Sequence, residues 1–271
     1  MIIVADIGGS RMRIAVSDAP DSFEEPVIVA TPASFDEAVA TFAETVRDLA
    51  QGRPVTGGTV GVPGLLSPDR QTLLRAPNLP DWAGRNVVEA FSQAVGAPIR
   101  FENDAMLGAL GEAHYGAGKG AHILAYVTVG TGVGGGRVVD GRLDPVAHGS
   151  EIGHQRLGTG PDAPEWEALV SGSGLQAKYG KPASEIDDPI VWERCADDFA
   201  LGLYNTILEW SPDRVVLGGT GFTGTRAISL ERVRTTFRII ATALPELPNI
   251  KLATLGDRSG LYGALALTTA S

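Results

Sequence analysis

The sequence predicts a mixed α/β protein in two lobes, on three observations. Short apolar runs of strand type alternate with amphipathic helical patterns. Glycine turns close several of those runs, and the chain's 271 residues exceed one modal domain length. Glycine supplies 35 of those residues, against a usual share of about 7%. The excess sits in short loops without a repeat, which suits tight turns and close approach of backbone to a ligand.

The elements follow in order. Ile2-Ile3-Val4-Ala5 is an apolar strand, and 12–16 resumes strand character after a glycine turn. Residues 34–49 form the clearest helix: Ser34 and Glu37 have capping-box spacing, and Phe35, Val39, Phe42, Val46 and Leu49 share a face. Thr59-Val60-Gly61-Val62 is a buried strand ending at Pro63-Gly64. A helix over 87–95 then precedes a short strand over 98–101, which delivers Glu102-Asn103-Asp104. A helix over 105–115 leads to a strong apolar strand, 123–129, which runs into Gly130-Thr131-Gly132-Val133-Gly134-Gly135-Gly136. Farther on come a long helix over 192–210, stopped by Ser211-Pro212, a strand at Val215-Val216-Leu217 opening onto Gly218-Gly219, and a small-residue helix near the C-terminus. No Pro-, Ser- or charge-rich linker divides the chain. The expected boundary is therefore a hinge near residue 105, with lobes 1–105 and 106–257 and the tail 258–271 returning to the first.

Composition narrows the function. A net charge of −10 lacks the basic footprint of a nucleic-acid binder. The single cysteine, Cys195, excludes an internal disulfide and a cysteine-rich zinc cluster. The first apolar run stops at Asp6, too short for a signal peptide or a membrane span. A cytoplasmic location is the expectation.

Four places carry chemistry. In Asp6-Ile7-Gly8-Gly9-Ser10-Arg11, Gly8 and Gly9 leave backbone N–H groups free to face phosphate, and Ser10 adds a hydroxyl. Asp6 at the strand end suits magnesium, directly or through water, although a plain hairpin turn has the same pattern. Gly130-Thr131-Gly132 continues into strand-like residues instead of a helix. That fits a strand-loop-strand phosphate cradle with a Thr131 hydroxyl, and not a dinucleotide fingerprint. Asp104, where strand meets helix, suits the helix N-cap and a general base for an attacking hydroxyl, and the two roles can hold at once. Glu151 and His154 form a carboxylate–imidazole pair able to hold sugar hydroxyls, or else a solvated Glu beside a structural His.

Taken together these segments resemble the ROK family of sugar kinases and sugar-responsive repressors. That resemblance implies a two-lobed actin-like ATPase (ribonuclease H-like) fold with a cleft between the lobes, ATP and Mg2+ as cofactors, and a homodimer. Asp6 to Ser10 looks like the family's first phosphate motif, Gly130-Thr131-Gly132 like its second, and Gly218-Gly219 like its adenosine-side loop. Val60 to Gly64 and Asn78 to Trp82 are similar to loops around the sugar cleft. Glu102-Asn103-Asp104-Ala105 matches the segment whose aspartate is the catalytic base and whose asparagine contacts sugar. Glu151-Ile152-Gly153-His154 matches the signature whose Glu and His bind sugar hydroxyls. The resemblance thus implies an ATP-dependent hexose kinase. Its sugar contacts are Gly64, Asn78, Asn103, Asp104, Glu151, His154 and Glu167, and glucose at its 6-hydroxyl is the first expected substrate.

One departure stands out. Typical members carry a zinc-binding segment with three cysteines after the signature His. Here Leu157-Gly158-Thr159-Gly160-Pro161-Asp162-Ala163-Pro164-Glu165-Trp166 occupies that place without a cysteine, and zinc needs about four ligands. No zinc site is expected, Glu167 is expected to be kept, and packing around Trp166 to hold the loop. The rival readings are a sugar-sensing repressor, a catalytically weak sugar binder and an ATPase with a protein partner. With the first strand starting at residue 2, no helix-turn-helix is expected in front of it.

Overall fold

The computed structural model describes residues 1–224 and 226–269. The chain opens with β1 (Ile2–Ile7), β2 (Arg11–Ser17) and β3 (Val27–Ala30), then α1 (Phe35–Ala50) and β4 (Gly57–Val62). A small antiparallel sheet follows, β5 (Leu65–Leu66), β6 (Thr72–Arg75) and β7 (Arg85–Asn86), then α2 (Val87–Val95) and β8 (Ile99–Asn103). Helix α3 (Asp104–Tyr115) carries the chain into the second half, which begins with β9 (Ile123–Val129), β10 (Val133–Val139) and β11 (Arg142–Leu143). Next come α4 (Trp166–Val170), α5 (Gly172–Tyr179), α6 (Pro189–Trp210), β12 (Arg214–Gly218), α7 (Thr220–Thr223), α8 (Leu230–Ile240) and β13 (Asn249–Leu252). The last helix is α9 (Ser259–Thr269); residues 270 and 271 of the expected tail lie outside the described residues.

The two halves build the same sheet twice. The strand orders are β3-β2-β1-β4-β8 and β11-β10-β9-β12-β13. In each, a hairpin pairs its first strand in parallel with the strand that returns after a helix. The alternating periodicity of β1 explains its place: Ile3, Ala5 and Ile7 face a core with Phe42, Phe91 and Trp82, while Val4 faces the other way. Helix α1 forms as its pattern predicts, with the Ser34 hydroxyl oxygen accepting the Glu37 N–H at 3.5 Å. Its apolar stripe covers that core.

Helices α3 and α9 lie between the two sheets. Leu107 packs with Val4, Ala15, Leu261 and Leu265 toward the first sheet. Ala109 and Leu110 join Leu124, Tyr126, Val216 and Ala266 toward the second. The helices cross so closely that a Cβ at Gly263 would collide with the Leu107 carbonyl, and one at Gly111 with the Ser259 carbonyl. Glycine here is required by the approach and not by φ. Replacing Gly263 by Ala should force the helices apart and cost about 2–3 kcal/mol as overpacking. Thermal unfolding checks this, and an unchanged melting temperature contradicts the close crossing.

Candidate active site

The junction of β8 and α3 sets the first functional side chain. Asn103, in extended backbone, caps α3: its Oδ1 accepts the N–H groups of Ala105 at 3.0 Å and Met106 at 3.1 Å. Its Nδ2 donates to the Gly64 carbonyl at 3.2 Å, which brings the Gly64 turn against the strand end. The cap is thus Asn103 and not Asp104. Asp104 becomes the first helical residue, accepts the Ala105 N–H at 2.8 Å, and faces a cavity of about 200 Å³ between the lobes. Burial pushes its carboxyl above the ordinary range; the helix amides oppose this, and the Glu151 carboxylate adds to it.

Asp6 reaches the same cavity from the end of β1. Its carboxyl is raised to about 7, mainly by burial, then by Asp104 and, more weakly, Asp257, with Arg13 opposing. Side-chain exposure is still 21%, so solvent reaches one edge of a carboxyl that protein otherwise surrounds. Room for it comes from Gly61 and Gly260, where a Cβ would lie 3.3 Å from Asp6 Oδ1 and 3.4 Å from its Cγ. Arg13, opposite Asp6 on the β1–β2 ladder, stands 3.7 Å from Asp6 and 3.4 Å from Asp257. Three carboxylates therefore face the cavity against one guanidinium. Such a site is short of positive charge and rich in hard oxygen donors, which fits a magnesium-bound polyphosphate.

The two glycine loops occupy equivalent turns, between the first two strands of each sheet. In the first, Gly8 N–H donates to the Arg11 carbonyl at 2.8 Å and the Thr31 hydroxyl to the Gly8 carbonyl at 2.7 Å, leaving Gly9, Ser10 and Arg11 exposed. It is a hairpin turn, and Gly9 lets Asn78 in: a Cβ there would sit 2.8 Å from the Asn78 Cβ. In the second, Gly130 N–H donates to the Gly132 carbonyl at 2.9 Å. The loop is braced from behind by α5: Gly172 N–H donates to the Gly130 carbonyl at 2.8 Å and the Ser173 hydroxyl to the Thr131 carbonyl at 2.7 Å. Glu167 completes the brace by accepting the Val133 N–H at 2.7 Å, and a Cβ at Gly132 would strike its carboxylate. Thr131 stays exposed at the tip. Gly219, at φ 85°, lines the cavity, and a side chain there would meet the Val129 carbonyl. Gly218 makes way for the Tyr126 hydroxyl.

On the other side of Asp104, His154 lies between two carboxylates. Its Nδ1 donates to Glu165 Oε2 at 2.6 Å, and its Nε2 stands 3.5 Å from Glu151. The Glu165 bond, with lesser help from Glu151 and Glu167, raises the imidazole above its usual range. Any stability from this pair is present below about pH 6.5 and fades as pH rises through the raised value. It is small, because both partners are 39% exposed. The cysteine-free loop is closed by a hairpin: Leu157 N–H donates to the Pro164 carbonyl and Trp166 N–H to the Gln155 carbonyl, at 2.9 and 2.8 Å. Trp166 is fully buried, 5.1 Å from the Phe199 ring over Gly202. The one cysteine, Cys195, is buried in α6 with its thiol pushed up to about 11. Glu165→Gln should return His154 toward the ordinary imidazole range, read from NMR titration of its ring protons. An unchanged titration contradicts the pairing.

Matching sheets on either side of a cleft, with acidic groups and glycine turns at the strand ends, define a two-lobed actin-like ATPase fold. The family model described as "ROK family" matches residues 2–271, and the chain belongs to the ROK family. It is 30% identical to the fructokinase of Zymomonas mobilis over 99% of this chain and 93% of that one. It is 29% identical to the N-acetylgalactosamine kinase AgaK of Shewanella sp., over 97% and 94% of the two chains. A ROK family glucokinase from Streptomyces griseus, solved with glucose and AMPPNP, superposes with a TM-score of 0.81 at 28% identity, covering 98% of each chain. These three relatives are named as kinases of different sugars. Among the described residues no helix is long and apolar enough to cross a membrane.

Proposed function

We propose that this chain is an ATP-dependent hexose kinase in which Asp104 is the general base. The observation that carries this reading is the position of Asp104. It stands at one helix start, in a cavity shared with Asp6 and within electrostatic reach of Glu151. The two glycine turns do not line the cavity themselves; they follow the strands β1 and β9 that bring Asp6 and Thr128 to it.

The hexose hydroxyl gives its proton to the Asp104 carboxylate as its oxygen attacks the γ-phosphorus. The bond from that phosphorus to the bridging oxygen breaks, and ADP leaves. A carboxyl raised by burial holds a proton more tightly than an ordinary one, which suits it to take the proton of an attacking hydroxyl. Asn103 offers its remaining Nδ2 hydrogen, and Glu151, His154 and the free oxygen of Glu167 offer further partners for sugar hydroxyls, beside the Gly64 and Asn78 turns. The Gly8 and Gly130 N–H groups are spent inside their own turns, contrary to the expectation that they face phosphate, so the backbone N–H groups of Gly9 and Gly132, with the Ser10 and Thr131 hydroxyls, line the phosphate path, and Arg11 and Arg13 bring positive charge to its first-lobe side. Gly218 and Gly219 border the adenosine side. Magnesium, held at Asp6, would neutralise phosphate charge when bound. Positioning and charge stabilisation supply the rate, and closure of lobes 1–105 and 106–257 excludes water.

D-glucose at its 6-hydroxyl is the first substrate; the fructokinase relative favours D-fructose as the second. A cytoplasmic homodimer completes the proposal. The test is coupled detection of ADP with and without each hexose. Release that needs hexose supports the kinase. Sugar-independent release points to an ATPase with another partner, and no release to a sugar binder; either outcome overturns it.

A further inference from the structure

We infer that Arg70 is a positioning residue that ties the segment carrying Glu151 to the strand end carrying Asp104. This inference rests on the kinase reading above. Arg70 belongs to the first half of the chain, at the turn between β5 and β6, and holds a left-handed backbone at φ 60°. Such a conformation is unfavourable for a residue with a Cβ and persists where surroundings enforce it. Asp69 braces the turn, accepting the Ser67 hydroxyl at 2.5 Å and the Gln71 N–H at 3.2 Å.

The guanidinium reaches into the second half. Nη2 donates to the Val146 carbonyl at 2.9 Å, Nη1 to the Ala147 carbonyl at 3.1 Å, and Nε to Glu102 Oε2 at 3.2 Å. Nη1 also lies 3.4 Å from the Ser67 carbonyl. The Glu102 side chain is only 10% exposed, and its other oxygen accepts the Asn103 N–H at 2.9 Å. A continuous chain of bonds therefore runs from the 146 and 147 carbonyls through Arg70 and Glu102 to Asn103, the cap that presents Asp104.

Val146 and Ala147 lie in a strap, 144–151, that leaves β11 and ends at Glu151. The strap's start is fixed to its own lobe: Arg137 donates to Asp144 Oδ2 at 2.6 Å, and Asp144 N–H donates to the Arg137 carbonyl at 3.0 Å. Its middle is fixed to the other lobe by Arg70, with Gly149 lying over Leu65. The Glu151 end consequently follows the first lobe, with Asp104, when the lobes move. Only a planar fork meets three acceptors spread on two segments; a lysine ammonium is a single point.

The experiment compares Arg70→Lys, Arg70→Gln and Glu102→Gln with the parent protein. ADP release is measured with D-glucose and D-fructose varied at fixed ATP, then with ATP varied. Loss of a partly buried charged fork should raise KM for the hexose by about tenfold or more while KM for ATP changes by less than about twofold. Lysine should not rescue. In parallel, proteinase K cleavage between 144 and 151, mapped by mass spectrometry, should be faster in every variant than in the parent. Rescue by lysine, equal rises in both KM values, or parent-like cleavage overturns the tether. If the Gln variant unfolds, the Lys variant, which keeps its charge beside Glu102, decides. A parent protein that releases no ADP with hexose defeats the kinase reading alone, and the cleavage comparison still decides the tether.

Discussion

Asp104→Asn is expected to lower kcat by about 10²–10⁴-fold, the range a positioned general base contributes. The change is isosteric. An Asn Oδ1 can keep the bond from the Ala105 N–H that holds Asp104 in place, and Asn103 continues to cap the helix. Folding should therefore survive, and the linkage has a definite sign. The Asp104 carboxyl is raised in the folded state, so the native protein holds this proton more tightly than the unfolded chain does. Its favourable contribution is complete below the ordinary carboxylate range and is lost as pH rises through the raised value. The Asn variant is therefore expected to melt no lower than the parent at neutral pH, and higher if Asp104 is ionised there. Turnover at saturating hexose and ATP, set beside a thermal melt, separates a lost base from a lost fold. Near-parental kcat would mean that another group takes the proton.

The second large effect is at Asp6. Its carboxyl sits at about 7 in the folded protein against an ordinary 3.8. Stability tied to this group is present below pH 3.8 and falls away as pH rises through about 7. A move of that size corresponds to at most on the order of 4 kcal/mol. Coupling to Asp104 and the solvent at its edge reduce it, so Asp6→Asn without nucleotide should be stabler at pH 8 by about 1–3 kcal/mol. If Asp6 holds magnesium as proposed, the same variant should lose about 10²-fold or more in turnover, because its oxygen there has lost its charge. Added MgCl2 with ADP should raise the melting temperature of the parent more than that of the variant. Identical pH–stability curves for the two proteins would contradict the crowding of carboxylates in the cavity.

Much of this arrangement was legible before any coordinates. Periodicity located α1, α2, α3, β9 and β12, because each buries a single face or an entire run in a layer that local patterning reports. The glycine turns at 8–9 and 130–132 were visible as strand ends, and both lie at equivalent hairpins. What stayed hidden depends on distance in sequence. The duplicated sheet leaves no repeat, since only strand order and pairing recur while loop lengths differ. The short strands β5, β6 and β7 span too few residues for a period to show. Asn103 as the cap of α3 was missed because Asp and Asn at adjacent positions are equal candidates; the backbone turn, not residue type, decides between them.

Three charged residues have partners that no single local pattern reports. Arg11 closes the glycine turn and Arg13 lies beyond it, and only the pairing of Ile7 with Met12 across that turn sets Asp6 opposite Arg13. Glu165 was seen as part of a loop that replaced cysteines. Its partner His154 is reached only when 155–166 folds back as a hairpin. Arg70 looks like an ordinary turn residue after Pro68-Asp69, and its acceptors at 146 and 147 belong to the other half of the chain. Glu167 was read as a sugar ligand, and one of its oxygens is committed to the second glycine loop. On the proposed reading the other oxygen is the one offered to sugar.

The most direct measurement is a crystal structure of this protein with D-glucose and a non-hydrolysable ATP analogue. One Asp104 carboxylate oxygen should lie within about 2.6–3.2 Å of a sugar hydroxyl that points at the γ-phosphorus. A well-bound sugar whose hydroxyls all lie beyond hydrogen-bonding reach of Asp104, with that carboxylate satisfied only by the α3 amides, would contradict it.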